Sequence, residues 1–155
     1  MSQSGFGFSK ILQRLFLGPC PRNVAAISQL VDQNVSSVVN LQSDEDMKAE
    51  SIDWSSLEAG YNRHGVRIHR IPIVDLDPDD MQIHIDAAIK VVNELYDSGH
   101  SIYLHCTAGR ERSPTAAIAW LVRYHNHSLS NAVEQVTSRR KCNPYLDMLN
   151  QWIKT

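Results

Sequence analysis

One stretch of this chain carries residue types and a spacing that can do chemistry: His105-Cys106-Thr107-Ala108-Gly109-Arg110-Glu111-Arg112-Ser113-Pro114. Cysteine supplies a soft nucleophile. Arginine six positions later supplies a fixed charge whose planar fork of donors matches two phosphate oxygens. Thr107, Ala108 and Gly109 are small, so the backbone can curl without side-chain clashes. A curled loop ahead of a helix start turns N–H groups inward, and such a nest suits phosphate or sulfate. The spacing predicts a phosphate-binding loop over Thr107, Ala108, Gly109, Arg110, Glu111 and Arg112. The field that favours the anion also favours the ionised form of a thiol. A thiolate beside a bound phosphoryl group attacks phosphorus, and water then hydrolyses the phosphocysteine. No metal and no cofactor is called for, because Arg112 and the N–H groups carry the equatorial charge.

Two neighbours have more than one reading. The Ser113 hydroxyl can cap the helix that begins at Ser-Pro. It can also donate to the sulfur and ease thiolate departure, which makes Ser113 a candidate catalytic residue. His105 reads as an orienting, hydrogen-bonded core histidine rather than a proton carrier. Arg110 and Glu111 either form a surface ion pair or, in the case of Arg110, touch substrate.

An alkoxide or phenolate leaving group needs a proton, so a carboxylic acid should face the loop. "VDLDPDD" (74–80) offers four aspartates. Asp77-Pro78 has the form of an N-cap and first helical residue, and Asp79 and Asp80 fall in a first turn, where negative charge is favourable. Asp75 has no such local explanation. It also follows a strand at the sheet edge expected to hold Cys106. Asp75 is the candidate general acid, and base for the attacking water; Asp77 is the second choice.

The elements that must position these groups alternate. Apolar runs at 14–18, 35–42, 66–73 and 101–106 read as strands. Helical periodicity runs over 22–31, 50–65, 78–99 and 113–126, with further helices near 130–140 and 145–154. In 78–99 the stripe is Met81, Ile85, Ala88/Ile89, Val92 and Leu95/Tyr96, with Gly99 as a stop. "SDEDM" reads as a polar turn, and residues 1–9 as a flexible N-terminus ahead of a domain over 10–155. This order predicts a single-domain α/β fold: a mainly parallel sheet of four to five strands flanked by helices. Ligands of such sheets bind at the carboxyl ends of strands, and Cys106 stands at such an end.

Bulk properties narrow the class. The chain has 155 residues, 43% of them hydrophobic, enough for one core. Lys plus Arg number 15 and Asp plus Glu 17, a net charge of −2, so a nucleic-acid partner is not expected. No apolar run approaches a membrane span, and membrane insertion is not expected. The first residues lack the apolar stretch of a secretory signal. Three widely spaced cysteines, Cys20, Cys106 and Cys142, do not suggest a disulfide framework or a zinc site. A cytoplasmic location is the expectation.

From "HCTAGRERSPT", the upstream Asp75 and the strand–helix order over about 10–155, the chain resembles the cysteine-dependent dual-specificity phosphatases. The resemblance implies a protein-tyrosine-phosphatase-like fold, with Cys106 as nucleophile, Arg112 as phosphate-binding arginine and Asp75 as general acid. Within that class "VVNLQSDEDM", "IDWSSL", "DLDPDD", "HCTAG" and "SRRKCNP" are similar to the plant starch/glucan phosphatases. Those enzymes carry an aromatic residue just after the acid, where this chain has Leu76, and aromatics in the loop after "NLQ", where it has Met47 to Glu50 with Trp54 nearby. They also carry an aliphatic and a glycine where Arg110 and Glu111 stand. The implied function is a metal-independent phosphomonoester hydrolase acting on phosphotyrosine and phosphoserine/threonine of proteins. Phosphoglucan and phospholipid (phosphoinositide or phosphatidylglycerophosphate) are alternative substrates. An inactive phosphate-recognition module and a sulfurtransferase are the rival classes.

Overall fold

A computed structural model describes residues 6–155. Its five strands are β1 (Ser9–Leu12), β2 (Leu15–Gly18), β3 (Ser37–Asn40), β4 (Arg67–Arg70) and β5 (Ile102–His105). They form one sheet in the order β1-β2-β5-β3-β4. Only β1 is antiparallel to its neighbour. A sheet covered on both faces needs strands without a polar side. The three inner strands, "LFLG", "SVVN" and "IYLH", are accordingly buried at every position. Their register aligns Gly18 and Asn40 with His105, so Cys106 emerges at the common carboxyl edge.

Among the described residues seven helices flank the sheet: α1 (Val24–Asp32), α2 (Asp44–Ala49), α3 (Trp54–Arg63), α4 (Pro78–Asp97), α5 (Arg112–His125), α6 (Leu129–Thr137) and α7 (Leu146–Trp152). On one face Ile27 and Leu30 of α1 and Leu57 and Tyr61 of α3 pack with Phe16, Val38 and Tyr103. On the other, α4 to α7 bury a larger core in which the α4 stripe meets Leu17, Val39, Leu104 and α5. Local chemistry sets the helix starts. Asn23 accepts the Ala26 N–H at 3.0 Å, and Asp77 accepts the Asp80 N–H at 3.0 Å with Pro78 as the first helical residue. Two glycines separate their roles: Gly65 follows α3 at φ +69°, whereas Gly60 sits inside that helix against Ile27. No helix among the described residues is long and apolar enough to cross a membrane.

The structure differs from the sequence reading in four places. β1 is an additional strand, too short to announce itself. "SDEDM" is not a turn: Ser43 and Asp46 form a reciprocal capping box that starts α2. Ser113 is not an N-cap, because α5 starts at Arg112 and Glu111 holds the cap position without a side-chain bond. The flexible segment expected over 1–9 falls in part on residues 1–5, outside the described residues. From Phe6 on the chain is packed: Phe6 and Phe8 contact Tyr103, and Ser9 belongs to β1.

Candidate active site

Cys106 leaves β5 at the sheet edge, and Arg112 opens α5. Between them the backbone turns through Gly109 at φ +69°. A Cβ there would run into the backbone of Gly18, so this position takes glycine alone. The carbonyls of the loop are engaged outward one by one. His105 Nδ1 donates to the Cys106 carbonyl at 2.9 Å, and the Cys20 N–H donates to that of Thr107 at 2.9 Å. Arg140 spans the next two, with Nη2 at 3.3 Å from the Ala108 oxygen and Nε at 2.7 Å from the Gly109 oxygen. The Asn143 N–H takes Arg110 O at 2.7 Å, and the Thr115 N–H takes Glu111 O at 3.0 Å. Fixing the carbonyls outward turns the amides inward. Among the described residues, no N–H from Thr107 to Glu111 donates to a protein acceptor. The result is a ring of donors at the start of a 14-residue helix, a preformed anion cradle.

Both chemically active side chains of this loop are buried. Cys106 is 2% exposed, and its sulfur lies 3.4 Å from Ser113 Oγ. Since Ser113 caps nothing, the contact with sulfur is what its hydroxyl does. Arg112 is 1% exposed. Its Nη1 donates to Asp46 Oδ2 at 2.5 Å and to the Ile73 carbonyl at 2.8 Å. Its Nη2 reaches Thr107 Oγ1 at 3.4 Å and Asp75 Oδ1 at 3.3 Å. Nε has no protein acceptor. The Nη1 corner is thus anchored by short bonds, whereas Nε is free and Nη2 has only the longer contacts to Thr107 and Asp75, so the Nε–Nη2 edge is the one that two oxygens of an anion can take. Burial works against the guanidinium charge. The hydrogen bond to Asp46 and the negative charges of Cys106, Asp46 and Asp75 outweigh it, so Arg112 holds its proton more tightly than a free arginine.

Asp46 was not among the residues singled out in the sequence. Burial pushes its carboxyl up, but the bonds from Arg112 and Ser43 hold it below the usual carboxylate range. The Ser-x-x-Asp capping pattern at 43–46 was the available signal. It marks a helix start, and it says nothing about Arg112. His105 is buried and stacked on Tyr103. Burial, with a smaller contribution from the Arg112 charge, lowers its pKa to about 4 against the bond to the Cys106 carbonyl. The ring is therefore neutral at pH 7, with Nδ1–H turned to the loop.

The two acid candidates separate clearly. Asp77 is spent on the α4 cap. Asp75 faces Arg112, is 42% exposed on its side chain, and accepts the Leu76 N–H at 3.0 Å. Leu76 itself is 71% exposed at φ +59°, a left-handed conformation that costs a branched side chain energy. Arg110 is exposed and forms no ion pair with Glu111 among the described residues. Gln42 Nε2 steadies Thr107 Oγ1 at 2.9 Å. Trp54 is half-buried, with the Arg70 guanidinium 5.8 Å above its ring. A cavity of about 660 Å³ flanks the loop beside Thr107 and Ala108, bounded by Phe6, Arg22, Glu50 and Arg140; Cys106 and Asp75 are not in its wall.

Residues 15–154 match the family described as "Dual specificity phosphatase, catalytic domain". The chain is 25% identical over 140 residues to the Arabidopsis thaliana protein named phosphoglucan phosphatase LSF1, chloroplastic, covering 90% of this chain but 24% of that protein. It is 24% identical over 136 residues to the Rattus norvegicus protein named phosphatidylglycerophosphatase and protein-tyrosine phosphatase 1, covering 86% of this chain and 67% of that protein. The crystal structure of human DUSP28 superposes with a TM-score of 0.72 at 25% identity, over 95% of this chain and 90% of that one.

Proposed function

The chain belongs to the dual specificity phosphatase family, and we propose that it hydrolyses phosphomonoesters through a phosphocysteine at Cys106. The substrate phosphate sits in the amide ring, with two oxygens on the Nε–Nη2 edge of Arg112. The Cys106 thiolate attacks phosphorus opposite the ester oxygen. The S–P bond forms as the P–O bond to the leaving group breaks, and Asp75 delivers its proton to the departing oxygen. Water then attacks the phosphocysteine while Asp75 takes a proton back. The electron pair of the broken S–P bond returns to sulfur, where the Ser113 hydroxyl at 3.4 Å can stabilise it. His105 orients the loop through the Cys106 carbonyl and carries no proton in the cycle. The observation that carries this reading is the outward engagement of every loop carbonyl around Cys106 and Arg112. It pre-pays the cost of arranging donors around a developing charge.

For the substrate we propose phosphotyrosine and phosphoserine/threonine of proteins. Sugar rings are held by stacking on exposed aromatic faces. Among the described residues the one exposed aromatic side chain is Tyr124, at 39%, at the far end of α5. Trp54 is half-buried with the Arg70 guanidinium 5.8 Å from its ring centre, and Leu76 stands where a stacking ring could flank the acid. The deciding experiment compares catalytic efficiency on phosphotyrosine and phosphoserine peptides, amylopectin, phosphoinositides and phosphatidylglycerophosphate. A preference for amylopectin or a lipid ester would overturn the protein assignment. Absence of any Cys106-dependent phosphate release from a small aryl phosphate would overturn the phosphatase reading.

A further inference from the structure

The match to the phosphatase family begins at residue 15, so residues 6–14 lie ahead of it. They do not stand apart from the phosphate loop. Phe6 and Phe8 each rest against the Tyr103 ring, with centroids 5.9 Å apart, and Ser9 enters β1 opposite Leu17 of β2. This arm, residues 6–9, lies so close to Gly18 that a Cβ there would strike Phe8, and Gly18 is in turn the backbone on which Gly109 packs. Arg140, half-buried between α6 and α7, joins arm and loop. Its Nη1 donates to the Gly7 carbonyl at 3.1 Å and to Ser9 Oγ at 3.1 Å. Its Nε and Nη2 donate to the Gly109 and Ala108 carbonyls at 2.7 Å and 3.3 Å. No carboxylate among the described residues lies within ion-pair distance of Arg140. Its hydrogen bonds are given to the arm and the loop.

Those two loop carbonyls matter for what stands at the other end of each peptide. In a trans peptide the C=O and N–H point opposite ways, and no cis bond occurs among the described residues. A cation held on the Ala108 oxygen therefore turns the Gly109 N–H away from itself, and one on the Gly109 oxygen does the same for the Arg110 N–H. Neither amide donates to a protein acceptor. Charge at the carbonyl end also polarises the peptide and strengthens its donor. A guanidinium is a rigid fork. With Nη1 fixed on the arm, Nε and Nη2 are held where the loop carbonyls meet them.

We infer that the N-terminal arm is a working part of the phosphate site: it positions Arg140, and Arg140 positions the Gly109 and Arg110 amides for the anion. Arg140 and the arm touch no reacting atom and act through the loop. The inference rests on the phosphatase reading for the use of the site, but anion binding can be measured without turnover.

The test titrates tungstate, a tetrahedral dianion, into the full chain by calorimetry. Arg140→Ala should weaken it about tenfold, the worth of one charge-assisted hydrogen bond. Arg140→Lys should recover little, because one ammonium cannot span the four acceptors. Loosening the arm with Phe6→Ala and Phe8→Ala together, or more gently with Ser9→Ala, should weaken tungstate several-fold in the wild-type background and not at all in Arg140→Ala. In each variant kcat/KM should fall by the same factor on nitro-substituted aryl and alkyl phosphates, since no proton transfer is touched. Wild-type tungstate affinity in Arg140→Ala, full recovery in Arg140→Lys, or additive losses from arm and Arg140 would overturn the inference. If the double phenylalanine variant does not fold, the Ser9→Ala cycle decides alone. Turnover that survives Cys106→Ser, with the tungstate results as expected, would sink the phosphatase reading and leave the coupling of arm and loop standing.

Discussion

The phosphate loop and the acid loop stand across from one another and are built on opposite plans. The carbonyls from Cys106 to Glu111 are each held by at least one donor, from β5, α5, the segment after β2 and the segment between α6 and α7. The two reactive side chains of this loop are 1–2% exposed. The acid loop, 74–76, has Val74, Asp75 and Leu76 exposed, and Leu76 is left-handed at φ +59°. Its anchors are few: the Val74 N–H to Asp80 at 2.8 Å, the Leu76 N–H to Asp75 and the ion pair of Asp75 with Arg112. The division matches the two tasks. Charge stabilisation depends on dipoles that are already in place before the reaction. A proton donor that also serves as base for water has to let the leaving group out and water in, and a loosely held, solvent-facing segment allows that.

The comparison can be broken most severely at the rigid loop. Cys106→Ser should abolish turnover by several orders of magnitude while vanadate or phosphate still binds. Loss of anion binding along with turnover would show that the sulfur, not the amide ring, holds the anion. Asp75→Asn should lower kcat on alkyl phosphates by about 10²–10⁴-fold and on a nitro-substituted aryl phosphate far less. The same substrate dependence in Asp77→Asn, with Asp75→Asn inert, would move the acid to the α4 cap.

A third prediction sharpens what rigidity means. Asp46→Asn keeps the cap of α2 but removes the negative charge that anchors Arg112. The anion should bind more weakly, by about 10²-fold on the scale of losing one preorganised contact in a site of this kind, with the leaving-group dependence unchanged. A fourth concerns pH. The folded pKa of Asp46 is depressed, so its contribution is present above its unfolded value and is lost as pH falls through the folded one. His105 is lowered from 6.5 to about 4, so the unfolded state binds its proton first and stability declines as pH falls from 6.5 to 4. The signs agree, and His105 alone accounts for about 3 kcal/mol over that window. Urea unfolding at pH 7 and pH 4 measures the decline, and a His105→Asn variant should show a shallower one. The smallest effect belongs to Leu76→Gly. Relief of the left-handed strain and the added freedom of the unfolded chain nearly cancel, leaving unfolding within about 1 kcal/mol of wild type.

Much of this was legible because it is local. Cysteine, small residues and arginine lie within seven consecutive positions. The α4 stripe and its Asp77-Pro78 start report a helix through neighbours three and four residues apart, and the inner strands report burial through unbroken apolar runs. Asp75 stands out as the candidate acid because its neighbours have local duties and it has none. The differences are local as well: the polar run at Ser43 to Asp46 reads as a turn but forms a capping box, and Ser-Pro reads as a helix start although the cap position of α5 falls two residues earlier, at Glu111.

By itself, then, the order of residues determined which groups could carry the reaction and that they would meet at the end of a parallel sheet. Only tertiary structure decided what holds and aims them. Arg140 reaches Gly109 across 31 residues, Asp46 reaches Arg112 across 66, and the Cys20 amide reaches the Thr107 carbonyl from the segment after β2. A hydrogen bond needs its partners within about 3 Å and aligned. Between segments that far apart in the chain, no periodicity or spacing encodes that distance until the sheet and its helices have packed.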